Sequence, residues 1–225
     1  TVRLPTGEFR TDFRTHDKYS KRVYYAFKEL WWLMHAWDAA VADRWAPQYS
    51  FGFLTLTAYP DPDPETTTVD GFAGLVFPDV VWATLIATAG ETSNSTSASS
   101  QINRIVATAT TSQWVELRRG IFLFDTSALG STASISAAVL SIKGTAKIDN
   151  LAITPNIDIY TSTPASNTNI VNADFGQVGS TSQTGAPITY ANFSTTAYND
   201  FTLDATGRSN ISKTAVSKFG TRNAN

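Results

Sequence analysis

The sequence predicts a mainly β protein, a jelly-roll-like antiparallel β-sandwich preceded by an N-terminal α-helix. From residue 66 onward, short apolar runs alternate with turn-forming clusters and show no helical period. A helical apolar period occurs only before residue 48. Charge density also changes along the chain, because residues 1–65 carry 17 charged side chains and the following 160 residues carry 19. These three observations divide the chain into a helical part and a β part.

The predicted organisation has three segments. Residues 1–57 form a helical anchor or oligomerisation region. Residues 58–70 form a linker rich in Pro, Asp and Thr, because prolines at 60, 62 and 64 block both a helix and a central strand. Residues 71–225 form the β-sandwich.

The N-terminal helix is predicted over residues 20–46. Apolar residues recur there at alternating spacings of four and three, which is close to a heptad seam. Pro47 limits the helix, because the residue before a proline disfavours the α region. The apolar stripe packs either on the β domain of the same chain or, as we expect, against another chain. The stripe consists of Val23, Phe27, Leu30, Trp31, Met34, Trp37 and Val41.

The β region contains runs that are alternating or continuously apolar, with Ser-, Thr-, Gly- and Asn-rich clusters between them. In the stretch "RRGIFLFDTSALGSTASISAAVLSI" (118–142), the segment "IFLFD" predicts a central strand buried on both faces. The step "TSALGSTAS" then turns the chain into the next strand. Predicted strands lie within 72–77, 81–87, 102–107, 114–124, 135–143, 151–160, 188–193, 199–203 and 214–219.

Composition restricts the function classes. A net charge of −2 gives no electrostatic basis for nucleic-acid binding. The absence of cysteine excludes disulfides and thiolate metal sites. No apolar stretch predicts a transmembrane helix, and residues 1–20 show no signal-peptide core. We therefore expect no nucleic-acid partner and no membrane insertion.

No catalytic constellation is predicted. Both histidines, His16 and His35, precede the β region, so that region cannot form a Ser-His-Asp site or the usual zinc ligand set. Its acidic residues are expected to form turns and caps rather than a catalytic pair. Asp61, Asp63 and Glu65 offer oxygen ligands for calcium, but a solvated linker is the favoured interpretation and no cofactor is expected. The acidic residues considered are Asp125, Asp149, Asp158, Asp174, Asp200 and Asp204.

The β region resembles a known family. Its sequence pattern is similar to that of the DNRLRE-type domains, which are relatives of carbohydrate-binding modules. The pattern consists of a basic residue, an apolar strand ending in Phe-Asp, and then the segments "TSAL" and "ISAAVLSI". The resemblance extends over "TTTVDG", "VVWATLIATAG", "NIDIYTSTPASNT", "ITYANFSTTAYNDFTL" and "ISKTAVSKFGTRNAN", and it covers about residues 66–225. Members occur on secreted polysaccharide-active proteins and in phage genes, and relatives continue past the position of "RNAN" with a further strand. The resemblance implies non-catalytic binding or display.

These observations lead to one expected function and one alternative. We expect a virion structural or adhesion protein, such as a phage tail fibre, head fibre or decoration protein. We expect it to self-associate as a trimer and to contact other virion proteins and a cell-surface polysaccharide. The alternative is a secreted or cell-surface carbohydrate-binding module. Exposed aromatic rings would stack on sugars, although each candidate could instead pack in a β core. The candidates are Trp82, Trp114, Tyr160, Tyr190 and Tyr198.

Overall fold

The computed structural model describes residues 55–96, 103–149 and 152–224. The chain divides into two units, Thr1–Leu54 and Thr55–Asn225, and all the described residues lie in the second. The predicted helix at 20–46 and its apolar stripe lie outside the described residues. Within those residues, no helix has the length and apolarity needed to cross a membrane.

The described residues are mainly β, with antiparallel sheets and a few short helices. They contain nine strands, and the longest helix has six residues. This confirms, for the described part of 72–219, the expectation of many strands without a long helix. The strands are β1 (Asp70–Val81), β2 (Thr92–Asn94), β3 (Arg104–Ala107), β4 (Gln113–Asp125), β5 (Val139–Lys143), β6 (Ile157–Ser162), β7 (Val178–Ser182), β8 (Tyr198–Thr202) and β9 (Val216–Asn223). The α-helices are α1 (Trp82–Ala87) and α2 (Ala205–Ser209), and 3₁₀ helices span Ser127–Leu129 and Asn172–Gln177.

Strand β4 organises the larger sheet. Seven strands pair in the order β2-β1-β4-β9-β6-β7, and β3 also pairs with β4. One edge of β4 pairs with β1, whereas the other pairs first with β3, up to Arg118, and then with β9, from Gly120 onward. The remaining strands, β5 and β8, form a separate two-stranded antiparallel sheet.

The segment "IFLFD" in β4 is buried on both faces, as the sequence predicts. Ile121 and Leu123 are fully buried on one face of the large sheet, here called the front face. Phe122 and Phe124 alternate onto the opposite, back face, where Phe122 is buried and Phe124 is half-buried. A run of four apolar residues is explained by a core on each side of this strand.

The two faces have different covers. Leu85 from α1 and Phe175 from the second 3₁₀ helix pack on the front face together with Ile121 and Leu123. On the back face, Leu140 of β5 and Phe201 of β8 share a hydrophobic cluster with the large sheet. The members of the large sheet in that cluster are Phe124, Ile157, Ile159 and Phe219.

Several predicted strand positions were wrong. The run at 81–87 was predicted as a strand, but α1 occupies it, because a short apolar run does not distinguish a strand from a buried helix. No strand was predicted between 160 and 188, because the segment "GSTSQTGAP" (179–187) consists of turn formers, yet β7 begins at Val178 and runs into this segment. The run at 188–193 forms only one bridge, between Ile188 and Ile157. The strand β7 was therefore missed because its residues are polar, and the runs at 81–87 and 188–193 were predicted as strands because their residues are apolar.

The described part of the predicted linker is organised by one carboxylate. Asp61 accepts hydrogen bonds from the backbone N–H groups of Thr66, Thr67 and Thr68 and from two of their hydroxyls. Thr68 and Val69 are fully buried in the β unit. The residues immediately before β1 are therefore part of the packed unit.

Candidate functional site

A groove of about 540 Å³ lies on the back face of the large sheet. Its volume is within the usual range for small-ligand sites. Residues of β3, together with Phe122 and Thr221, lie along the sheet side of the groove, and Asn103 and Asn223 also line it. The opposite side is formed by two segments, 142–149 and 188–193. The groove combines apolar surface from Phe122 and Ile142 with polar and charged side chains.

One wall of the groove is the loop 189–194. Lys147 holds this loop, because its ammonium group donates hydrogen bonds to the carbonyls of Tyr190, Ala191 and Phe193 at 2.8, 3.1 and 2.9 Å. The same ammonium nitrogen lies 5.0 Å from the centre of the Tyr190 ring. Tyr190 is half-buried and lines the groove. The cation thus fixes the backbone that positions this aromatic ring.

Two further residues hold the same wall. The buried Asn199 accepts a hydrogen bond from Ser194 N–H at 2.7 Å and donates to the carbonyls of Ser194 and Ile142. Gly144 packs so closely that an added Cβ would collide with the Ser194 carbonyl oxygen and lie 2.6 Å from Cε1 of Phe193. Segments distant in sequence therefore meet at this wall, and only a glycine fits at position 144.

Basic residues predominate among the charged residues of the groove. Arg104, Lys143 and Lys147 line it, with Asp149 as the acidic member. The Lys143 side chain alternates with that of Ile142 and lies on the outer face of the small sheet beside Tyr198, so Arg104 and Lys147 supply the positive charge. Asp149 accepts hydrogen bonds from the backbone N–H groups of Ile153 and Thr154, at 3.2 and 2.7 Å, so its carboxylate stabilises its own loop. Arg104 pairs with Glu116, whose carboxylate also contacts Arg118.

A buried hydroxyl lines the sheet side of the groove. Thr221 is 1% exposed and, among the described residues, its Oγ1 has no hydrogen-bond partner. An unpartnered buried hydroxyl costs about 1–3 kcal/mol relative to a satisfied one. The residue paired with Thr221 on the adjacent strand β4 is Gly120, which has no side chain that could form a hydrogen bond with this hydroxyl.

The five aromatic residues predicted to bind sugar do not form one site. Trp82 and Trp114 make an edge-to-face pair with ring centres 5.2 Å apart and pack against the front core. Tyr160 is buried in the same core, whereas Tyr198 is 62% exposed on β8. Of the five, only Tyr190 lines the groove.

The charged groups on the front face serve the packing. Arg119 is buried, donates a hydrogen bond to the Phe175 carbonyl at 2.9 Å and lies over the Phe175 ring. Burial, with the nearby Arg222 guanidinium, lowers the pKa of Arg119 to about 10. Burial also raises the pKa of Tyr160, and the Asp158 carboxylate adds to that shift. Arg119 thus anchors the second 3₁₀ helix to the large sheet, and neither Arg119 nor Tyr160 lines the groove.

The acidic residues considered as catalytic candidates accept local hydrogen bonds. Asp204 caps α2 through Gly207 N–H, and Asp125 accepts from Ser127 N–H, which confirms the turn and cap roles predicted for these two. The buried Asp158 accepts from the hydroxyls of Ser182 and Thr184. The others bond as follows: Asp149 to its own loop, Asp174 to Val171 and Ala165 N–H, and Asp200 to the Ser141 hydroxyl.

In the acidic segment considered for calcium and favoured as a solvated linker, Asp61 holds its own loop. The Thr66 hydroxyl, together with backbone N–H groups of Thr66–Thr68, lowers the pKa of Asp61 to about 2. Across the described ranges, no group of three or more His, Cys, Asp or Glu side chains is arranged to hold a metal ion.

Comparisons with protein-family models, with curated proteins and with solved structures find no match to this chain. The groove itself was not predicted. Arg104, Lys143, Lys147 and Phe193 gave no local signal, because they lie on separate segments that only the tertiary fold brings together. Tyr190 was selected by residue type alone, as one of five aromatic residues that could stack on a sugar.

Proposed function

We propose that this chain is a non-catalytic virion structural or adhesion protein, a phage tail fibre, head fibre or decoration protein, whose β unit binds carbohydrate on a host surface. We further propose that the β unit is a jelly-roll-like sandwich of the DNRLRE type. The packing of β5 and β8 onto the back face supports the sandwich, because two sheets then share one core.

The observation that carries the proposal is the groove. Sugar rings present apolar C–H faces and hydroxyl groups, so their binding sites combine aromatic rings with hydrogen-bonding side chains. The groove provides the rings of Tyr190 and Phe193 beside amide, hydroxyl and charged groups. The loop that carries both rings is fixed by hydrogen bonds from Lys147 and Asn199 and by close packing against Gly144. Such a preformed wall lowers the entropy lost on binding.

The carbohydrate part of the proposal is tested with two tyrosine variants of the full chain on a glycan array, followed by calorimetry. Tyr190→Ala removes a ring from the groove, and Tyr198→Ala removes an exposed ring outside it. We expect Tyr190→Ala to weaken binding about 3- to 10-fold and Tyr198→Ala to leave it unchanged. A loss confined to Tyr198→Ala would move the site to the exposed face of the small sheet, and an absence of binding to any glycan would refute carbohydrate recognition.

The anchor part of the proposal concerns the predicted helix at 20–46. Its stripe of apolar residues is proposed to contact other chains, because an exposed stripe of this size would favour aggregation. Light scattering on the full chain should give the mass of a homotrimer, and Leu30→Glu with Met34→Glu should reduce it. A monomeric full chain that also fails to bind virion proteins would contradict the anchor. Neighbouring capsid or tail genes would favour this proposal over a secreted carbohydrate-binding module, whereas glycosidase genes would favour the module.

A further inference from the structure

We propose that the groove selects carboxylated glycans, those carrying uronic or sialic acids, over neutral ones. This inference rests on the proposed function and specifies the class of sugar. The observation that supports it is an excess of positive charge at the groove, which remains after the ion pairs between side chains are counted.

At the β3 end, one carboxylate serves two guanidinium groups. Glu116 is buried on the back face and contacts Arg104 Nη1 at 3.1 Å and Arg118 Nε at 2.5 Å. The set Arg104, Arg118 and Glu116 therefore carries one net positive charge. The side chain of Arg104 is 39% exposed and lines the groove, so its remaining N–H groups can reach a bound anion. Guanidinium groups bind carboxylates in a two-pronged geometry.

At the opposite wall, the ammonium group of Lys147 has no carboxylate partner among the described residues. Lys147 is bonded to three neutral carbonyls, which orient its charge without cancelling it. Lys143 pairs with Tyr198 on the outer face of the small sheet, so its charge is not counted toward the groove. Asp149, the acidic residue of the lining, is bonded to Ile153 and Thr154 N–H and keeps its negative charge. The set of Arg104, Arg118 and Glu116 contributes one positive charge, Lys147 adds one and Asp149 removes one, so one net positive charge remains at the groove.

The sugar hydroxyls have a partner as well. The Thr221 hydroxyl, unpartnered at the sheet side of the groove, can both donate and accept a hydrogen bond. A ligand that brings one carboxylate toward the basic residues and a hydroxyl toward Thr221 would satisfy both features. A neutral sugar satisfies only the second.

The test compares ligands that differ only in the carboxylate charge. Hexagalacturonate and its fully methyl-esterified form are one pair, and sialyllactose and its methyl ester are the other. Binding to the full chain is measured by calorimetry at 50 and 500 mM NaCl. We expect the carboxylated member of at least one pair to bind more tightly, and this preference to shrink at high salt because charges at an open groove are screened.

Three charge variants locate the preference. Arg104→Gln should reduce affinity for the carboxylated glycan about two- to fivefold, without changing affinity for the neutral partner. Lys143→Gln removes a positive charge from the outer face of the small sheet and should change neither affinity. Lys213→Gln removes the same charge outside the groove and should change neither. Equal affinity within both pairs would overturn the charge preference and leave the proposed function standing. A preference that Arg104→Gln does not reduce would overturn its placement here. No binding to any of the four glycans would overturn the preference for carboxylated glycans, whereas the proposed carbohydrate recognition is decided separately by the glycan array.

Discussion

Replacing Gly144 with alanine tests the packing that holds the groove wall. A Cβ at this position would collide with the Ser194 carbonyl oxygen and lie 2.6 Å from Cε1 and 3.1 Å from Cζ of Phe193. The carbonyl belongs to the backbone and Asn199 holds Ser194 on both sides, so the loop must shift as a unit. Overpacking of this kind costs about 1–3 kcal/mol of unfolding free energy.

Gly185→Ala is the matched control, because a Cβ at Gly185 meets nothing within 4 Å. Each substitution also removes backbone freedom from the unfolded chain, which stabilises by about 0.4–1 kcal/mol where no strain results. The difference between the two variants in urea denaturation therefore isolates the clash. Gly144→Ala should also weaken glycan binding, because Tyr190 and Phe193 move with the loop. Equal midpoints for the two variants would show that position 144 has room and that the wall is not packed as described.

Three further predictions concern the core, the wall and the turn before β1. Ile121→Ala should lower the unfolding free energy by about 2–5 kcal/mol, whereas Val139→Ala, at a 55% exposed site, should change it by less than about 0.5 kcal/mol; similar urea midpoints would contradict the two-faced burial of β4. Asn199→Ala should cost about 1–3 kcal/mol and weaken glycan binding, because it leaves the Ile142 and Ser194 carbonyls without this donor; unchanged stability would show that the loop needs no such support. The wild type should be more stable than Asp61→Asn near neutral pH, and this difference in stability should shrink as the pH falls from about 4 to about 2. The reason is that a carboxylate with a lowered pKa stabilises the fold above its unfolded pKa and loses that contribution as it becomes protonated. A difference in urea midpoints that stays constant across this pH range would refute the role of the charge.

The class of fold could be predicted from the sequence for a local reason. Alternation of apolar and polar residues and clusters of turn formers act over a few residues, so they indicate strands wherever one face is buried. Four apolar residues in "IFLFD" correctly predicted a strand with a core on each side. The same reasoning failed at 82–87, where the apolar residues of a short helix cover the front core, and at β7, whose polar residues occupy an edge.

The candidate site depended on the tertiary structure. Tyr190 could be selected from its residue type, but the residues around it could not, because Arg104, Lys147 and Asn199 come from segments more than forty residues apart along the chain. Trp82, Trp114 and Tyr160 had the same residue-type signal as Tyr190, and burial in the front core gave them a different role. The sequence by itself determined that the second part of this chain is a β protein with a strand buried on both faces, because periodicity is a property of neighbouring residues. Only the tertiary structure decided which loops meet to form a groove and which charges remain unpaired there, because those properties depend on contacts between distant residues.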